Sequence, residues 1–208
     1  MIRFVLAAVV AFVALPAKAE IDIQEVVSPK GVKAWLVEER SIPFVALNVW
    51  FKGGGTLDLP GKRGATNLMV GLLEEGTGDM NAQAYAREAE ELAAEFGYEA
   101  YDDVVAISAK FLTENRDEAV ALLRKSVVEP RFDQESVDRV REQVLSIIRS
   151  DAKNPDRIAS QTFDALAFPG HPYATSLNGT EESVSTLTRE DIVTAHQNAM
   201  ALDNVYVS

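Results

Sequence analysis

The run Ile42–Lys52, IPFVALNVWFK, limits the fold of this chain more than any other segment. It is apolar almost throughout and ends at three successive glycines, Gly53–Gly55. A run of that kind is a strand buried on both faces or placed centrally in a sheet, so the rest of the chain must supply neighbours for it. Upstream, two short β runs, Ile21–Val27 and Val32–Glu38, are joined by Ser28-Pro29-Lys30-Gly31, which fits a tight hairpin turn. Downstream, Tyr98–Tyr101 and Val104–Leu112 alternate like paired strands around an Asp102-Asp103 kink.

Helical spacing fills the intervals. A helix is predicted from about Lys62 to Glu75, closed by Gly76. A second starts at Asn81 as N-cap, carries Ala84, Ala86, Ala89, Leu92, Ala93 and Phe96 at helical spacing, and ends at Gly97. Two longer ones follow, Arg116–Val128 after Asn115 and Gln134–Asp151 after Asp133, the latter with Val137, Val140, Val144, Leu145 and Ile148 on a core face. Asn154-Pro155 opens a helix to Phe168, Thr188–Asp191 opens a last one, and NVYVS begins a strand cut before its partner. Strands, helices, strands and helices without strict alternation indicate an α+β fold, an antiparallel or mixed β-sheet with helices packed on one face.

The first nineteen residues read as an export signal rather than as part of the fold. Arg3 precedes an apolar run from Phe4 to Leu15, then Pro16 and the small-x-small end Ala17-Lys18-Ala19. An uncleaved membrane anchor is the rival reading, but the run is short for a span. The expectation is a periplasmic protein with residues 20–208 as one domain, touching the membrane only transiently. Without Arg3 and Lys18 the 20 Lys and Arg fall to 18 against 32 acidic residues, a formal net charge of -14. No basic cluster offers a phosphate-binding face, so nucleic acid is not an expected partner. Cysteine is absent, which excludes disulfides, thiolate metal sites and cysteine nucleophiles.

The stretch RGATNLMVGLLEEGTGDM, Arg63–Met80, poses the functional question. Asn67, Val70 and Gly71 stand i, i+3, i+4 on one helix face, a spacing that would gather two metal ligands and a general base around one ion. Valine and glycine have no donor atom, and an asparagine amide is a poor zinc ligand. The chain's two histidines, His171 and His196, are far apart and form no paired motif. Glu74 and Glu75 read as a solvated helix end, opposed by the helix dipole.

Three strings in order resemble the N-terminal domain of the insulinase/pitrilysin family of zinc peptidases, which includes mitochondrial processing peptidase. They are GVKAWLVEERSIPFVALNVWFKGGGTLDLPGKRG, LLEEGTGDMNAQAYAREAEELAAEFGYEAYDD and SVVEPRFDQESVDRVREQVLSIIRSD. The family's zinc motif is H-x-x-E-H on one helix with a further Glu on a later long helix. Aligned on Gly76-Thr77, its residues fall on Asn67, Val70 and Gly71. Aligned on Pro130-x-Phe132, the distal Glu falls on Val140, with Glu142 nearby. No catalytic or metal-binding residue remains. Tyr98, Glu99, Ala100 and Tyr101 match the strand that borders the family's cleft, which implies β-addition of a peptide; a plain edge strand, blunted against aggregation by Glu99, Asp102 and Asp103, stays open as the other reading.

The resemblance implies a non-catalytic subunit with no cofactor of its own. It would pair with a zinc-bearing homologous peptidase subunit and help enclose peptide substrates. Such subunits carry two homologous domains, so a second domain, which in bacterial pairs can bear an Arg/Tyr substrate-holding pair, would be missing here. Two other readings stay open: an active zinc metalloendopeptidase with an atypical ligand set, and a stand-alone periplasmic peptide-binding module.

Overall fold

The computed structural model describes residues 22–208. The export-signal reading of residues 1–19 and the strand position of Ile21 lie outside these residues. The central apolar run forms β3 (Phe44–Lys52) inside a six-stranded mixed sheet of order β1-β2-β8-β3-β7-β6. The other strands are β1 (Ile23–Val27), β2 (Lys33–Val37), β6 (Glu95–Ala100), β7 (Val104–Leu112) and β8 (Val205–Val207). Two-residue strands β4 (Gly76–Thr77) and β5 (Met80–Asn81) pair separately. The helices are α1 (Ala65–Val70), α2 (Ala82–Glu91), α3 (Arg116–Val128), α4 (Gln134–Asp151), α5 (Pro155–Ala167), α6 (Glu181–Ser185) and α7 (Arg189–Ala199).

The position of β3 is central, but its burial is one-sided. Val45, Leu47, Val49 and Phe51 meet the core, whereas the alternate residues face away from it. On that opposite face Trp50 stacks on Tyr206, ring centroids 6.1 Å apart and nearly parallel. The core lies between the sheet and the helices. It is built from Leu68, Met69, Leu72 and Leu73 on and after α1, Val105, Ile107 and Phe111 of β7, Val137, Val140, Val144 and Leu145 of α4, and Ile192 of α7. Each of these larger side chains stabilises the fold by about 1.5–3 kcal/mol relative to exposure. The core face read for Gln134–Asp151 matches α4 in position and in bounds.

β8 corrects the reading of NVYVS as an unpaired strand. It lies between β2 and β3, parallel to the former through Ala34–Val207 and antiparallel to the latter through Trp50–Tyr206. The three glycines have a packing reason. Gly53 and Gly55 donate backbone hydrogen bonds to the carbonyls of Asp103 and Tyr101, at 2.6 and 2.8 Å. Gly54, at φ +45°, approaches the β6–β7 turn so closely that a Cβ would collide with the Tyr101 carbonyl.

Helix ends differ from their sequence signals in instructive ways. The helix expected over Lys62–Glu75 shrinks to α1, after which Leu72, Leu73 and Glu75 continue in i→i+3 turns. Gly76 belongs to β4 rather than to a helix stop. Asn81 does cap α2, accepting from the Ala84 N–H at 2.9 Å. That helix then ends early, because Ala93 adopts φ +49° and its N–H reaches Glu90 O while Ala94 N–H reaches Ala89 O. This pair of bonds is the Schellman closure that glycine normally serves. Gly97, expected to be that glycine, lies in β6 opposite Ser108, whose Oγ would be 2.6 Å from a Cβ there.

Asn115 and Asp133 stand at N-cap positions without capping. Asn115 donates to Leu92 O, and Asp133 takes the Arg131 guanidinium. Asn154 and Thr188 cap as expected, and Thr180 opens α6, a helix with no counterpart in the sequence reading.

His196 of α7 is a core tie. Its Nε2–H donates to the Val127 carbonyl at 2.7 Å, and its ring meets Phe132 edge-on at 5.7 Å. Burial holds its pKa below the ordinary 6.5, against the hydrogen bond.

Two predictions follow from these contacts. Ala93→Gly should raise stability by about 1 kcal/mol, since it removes a left-handed Cβ; a higher urea midpoint at unchanged slope is the measurement. Stability should also fall as pH drops below about 6.5, because there the unfolded chain protonates His196 and the folded chain does not. Urea titrations across pH should show this fall flattening in His196→Gln.

Candidate functional site

α1 is six residues long and begins at Gly64, in the left-handed region at φ +98°, so it has no side-chain cap of its own. Asp58 supplies one from outside the helix. Its Oδ2 accepts from Gly64 N–H at 2.9 Å, and its Oδ1 accepts from Thr66 N–H at 2.8 Å and Thr66 Oγ1 at 2.7 Å. The carboxylate is almost wholly enclosed, at 2% side-chain exposure, with the Arg63 guanidinium 3.9 Å away. Burial pushes its pKa up, and the three hydrogen bonds and Arg63 work against that shift.

Arg63 points the other way along the same junction. It donates to Gly55 O at 2.6 Å and Thr175 O at 3.1 Å and forms an ion pair with Asp102. One side chain thereby joins the glycine-rich link, the β6–β7 turn and the loop after α5. Neither Asp58 nor Arg63 was legible as a site residue, since their spacing to Gly64 matches no local capping pattern.

On α1, Asn67 is half-buried and its Nδ2 donates to Asn178 Oδ1 at 3.1 Å. Val70 is buried. Gly71 follows as the helix's last half-turn and faces α4, where a Cβ on it would stand 3.4 Å from Val140 Cγ1. Of the four positions, Gly71 and Val140 lie across from each other, Asn67 is turned to Asn178, and Val70 is packed in the core. Together they offer an amide already engaged with Asn178, two isopropyl groups and a bare backbone. A zinc ion does not fit this set: it needs lone pairs from imidazole, carboxylate or thiolate, and no side chain here takes a proton from water.

The neighbouring acids do not rebuild a site. Glu75 forms an ion pair with Arg139 of α4. Desolvation and then the charge of Glu75 push the Glu74 carboxyl upward. Glu142 is exposed, two residues from Val140 and so on the far side of α4, where it reaches Arg149 at 3.9 Å. His171 accepts from the Tyr173 N–H at 3.2 Å through Nδ1, and Tyr173 donates to Asp103. Among the described residues no three His, Asp or Glu side chains converge to hold a metal ion.

The four peptide-binding candidates separate. β6 is an edge strand, and the Tyr101 N–H points inward to Val104 O at 2.8 Å. By alternation the backbone groups of Phe96, Tyr98 and Ala100 face the open edge. The Tyr98 side chain, however, turns into the core. Its hydroxyl lies 2.8 Å from that of Tyr85 and 2.5 Å from Ser126 Oγ, and burial raises its pKa. Tyr85 belongs to the same face of α2 as Ala89 and Leu92, i+4 and i+7 from it, although the sequence reading did not single it out. Glu99 is exposed and accepts from Tyr101, which lies just past the end of β6.

Comparison with known proteins places this geometry. The family pattern described as Insulinase (Peptidase family M16) matches residues 34–181. The chain is 26% identical over 170 residues to a protein of Helicobacter pylori called non-peptidase homolog YmxG, covering 82% of this chain and 39% of that one. It is also 26% identical over 168 residues to an uncharacterized zinc protease of Rickettsia bellii, covering 79% and 40%. A crystal structure of a peptidase M16 inactive domain from Pseudomonas fluorescens superposes with TM-score 0.86 at 28% identity, over 90% of this chain and 46% of that one. The chain therefore spans less than half the length of these relatives. With more than half of its residues matched, from β2 to the start of α6, the chain belongs to the insulinase family, peptidase family M16.

Proposed function

We propose that this protein is a pseudo-peptidase: the non-catalytic subunit of an exported insulinase-type zinc peptidase, which binds peptide and leaves hydrolysis to a zinc-bearing homologous subunit. The observation that carries this reading is that Gly71 and Val140, the positions aligned with two of the family's ligands, lie across from each other with no lone pair on either, a Cβ on Gly71 standing 3.4 Å from Val140 Cγ1. The relatives named as a non-peptidase homolog and an inactive domain support it. The open edge of β6 offers an extended peptide main-chain partners without side-chain selectivity. The formal net charge of residues 20–208, 18 basic against 32 acidic or -14, favours basic peptides. The apolar run at residues 4–15 with its A-x-A end is the basis for export to the periplasm.

The test is reconstitution with a homologue from the same organism that retains H-x-x-E-H. The expected result is an equimolar complex that cleaves unfolded peptides, loses activity to a chelator, and has no activity in either this chain or buffer alone. Stoichiometric zinc in the isolated chain together with chelator-sensitive cleavage would instead establish the atypical-ligand enzyme. Recovery of bound peptides with no association with the homologue would establish a stand-alone binding module.

A second experiment restores the lost donors through Asn67→His, Val70→Glu, Gly71→His and Val140→Glu together. Zinc binding should be weak at best, because the partners that orient metal ligands are missing and their loss typically costs about 10–100-fold in affinity. Calorimetric titration with zinc measures this. Tight binding with turnover would show that ligand loss alone accounts for the silence.

A further inference from the structure

We propose that Asn178–Gly179 is a deamidation site of this protein and that Asn67, at the degenerate ligand position, holds it closed. Asn178–Gly179 is the one Asn–Gly step in the sequence. Glycine leaves the following backbone nitrogen unshielded, so that nitrogen can attack the asparagine Cγ. The N–Cγ bond forms, the Cγ–Nδ2 bond breaks, and ammonia leaves with the former amide proton. One water then opens the succinimide at either carbonyl, giving aspartate or isoaspartate. Water is the only co-reactant, and Asn178 is half-buried rather than sealed.

In the folded chain both reacting groups are engaged. The nucleophile, Gly179 N–H, donates to Ser176 O at 2.9 Å. The electrophile is pinned through its oxygen, which accepts from Asn67 Nδ2 at 3.1 Å, while the Asn178 N–H is held by Ser176 Oγ at 3.2 Å. Attack requires the carboxamide to swing over the Gly179 nitrogen, which breaks the Asn67 bond and opens the turn. Asn67 never reacts; it is a positioning residue. Local opening of this loop, rather than global unfolding, sets the rate.

The loop has no slack for the product. A Cβ on Gly64 would lie 2.7 Å from Asn178 O, and one on Gly179, at φ +81°, would collide with Arg63 O. Isoaspartate inserts an extra carbon into the backbone at this seat, so conversion prises the loop before α6 from the start of α1. The inference stands on these contacts and is independent of the partner-subunit reading.

The test keeps the purified chain in mildly alkaline buffer, native or in urea, and follows the Asn178 peptide by mass spectrometry. Wild type should convert slowly when native and fast in urea. Asn67→Ala and the equal-volume Asn67→Asp, which lacks the donor, should each raise the native rate at Asn178 by roughly five-fold, the factor one net hydrogen bond supplies. Peptides containing Asn48 and Asn198 serve as internal controls and should not change, which separates release of the loop from loss of fold. Equal native and urea rates in wild type would overturn the proposal. So would unchanged rates at Asn178 in both variants, or an increase shared equally by the control asparagines.

Discussion

A six-residue helix that starts at a left-handed glycine cannot hold itself together, because nucleation costs more than so few intrahelical bonds return. In this protein the missing support comes from Asp58 and Arg63. The Asp58 carboxylate satisfies the free N–H groups of α1 from six and eight residues upstream, and Arg63 anchors the same point to three other segments. Burying that carboxylate raises its pKa, so the cap is held at an electrostatic cost that its hydrogen bonds and the nearby guanidinium offset. The positions of Asn67, Val70 and Gly71 all follow from this junction.

On the proposed reading, this junction is the outline of a metal site with packing in place of chemistry. Val140 on α4 lies across from Gly71, and neither the isopropyl group nor the bare backbone brings a lone pair to a cation. Asn67 turns its amide to Asn178, so the one polar group left on that face is committed to a loop. The same residues that deny the helix a metal join it to its surroundings by apolar contact and a single neutral hydrogen bond. Edge strand β6 is different in kind: its backbone is open while its largest side chain, Tyr98, is locked inward by Tyr85 and Ser126. Any peptide read there is read through main-chain groups.

Most elements were legible because their signals are local. The apolar stripe of α4, the alternation of β7, the Asn81, Asn154 and Thr188 caps and the glycine turn after β1 need only a few neighbouring residues. The errors share one cause. Gly97 resembles a helix stop, but the stop is Ala93, and Gly97 is needed where Ser108 of β7 crowds it. Asn115 and Asp133 resemble caps, but tertiary partners claim their side chains. The long helix read over Lys62–Glu75 contains good helix formers, yet the β4–β5 pairing and the docking of Thr77 on Glu129 end it early.

By itself the sequence determined the α+β class, the central strand, the core face of α4, and that Val70, Gly71 and Val140 carry no ligand atom and Asn67 only an amide, since each depends on residue type and short-range spacing. Only the tertiary structure decided that β8 completes the sheet between β2 and β3, that Val140 meets Gly71, that Tyr98 faces inward, and that Asp58 and Asn178 attend α1. Those facts are contacts between residues from tens to more than a hundred positions apart, or, for Asp58, a cap that skips the helix's own flank. No periodicity in the chain encodes them; they arise when the helices close on one face of the sheet.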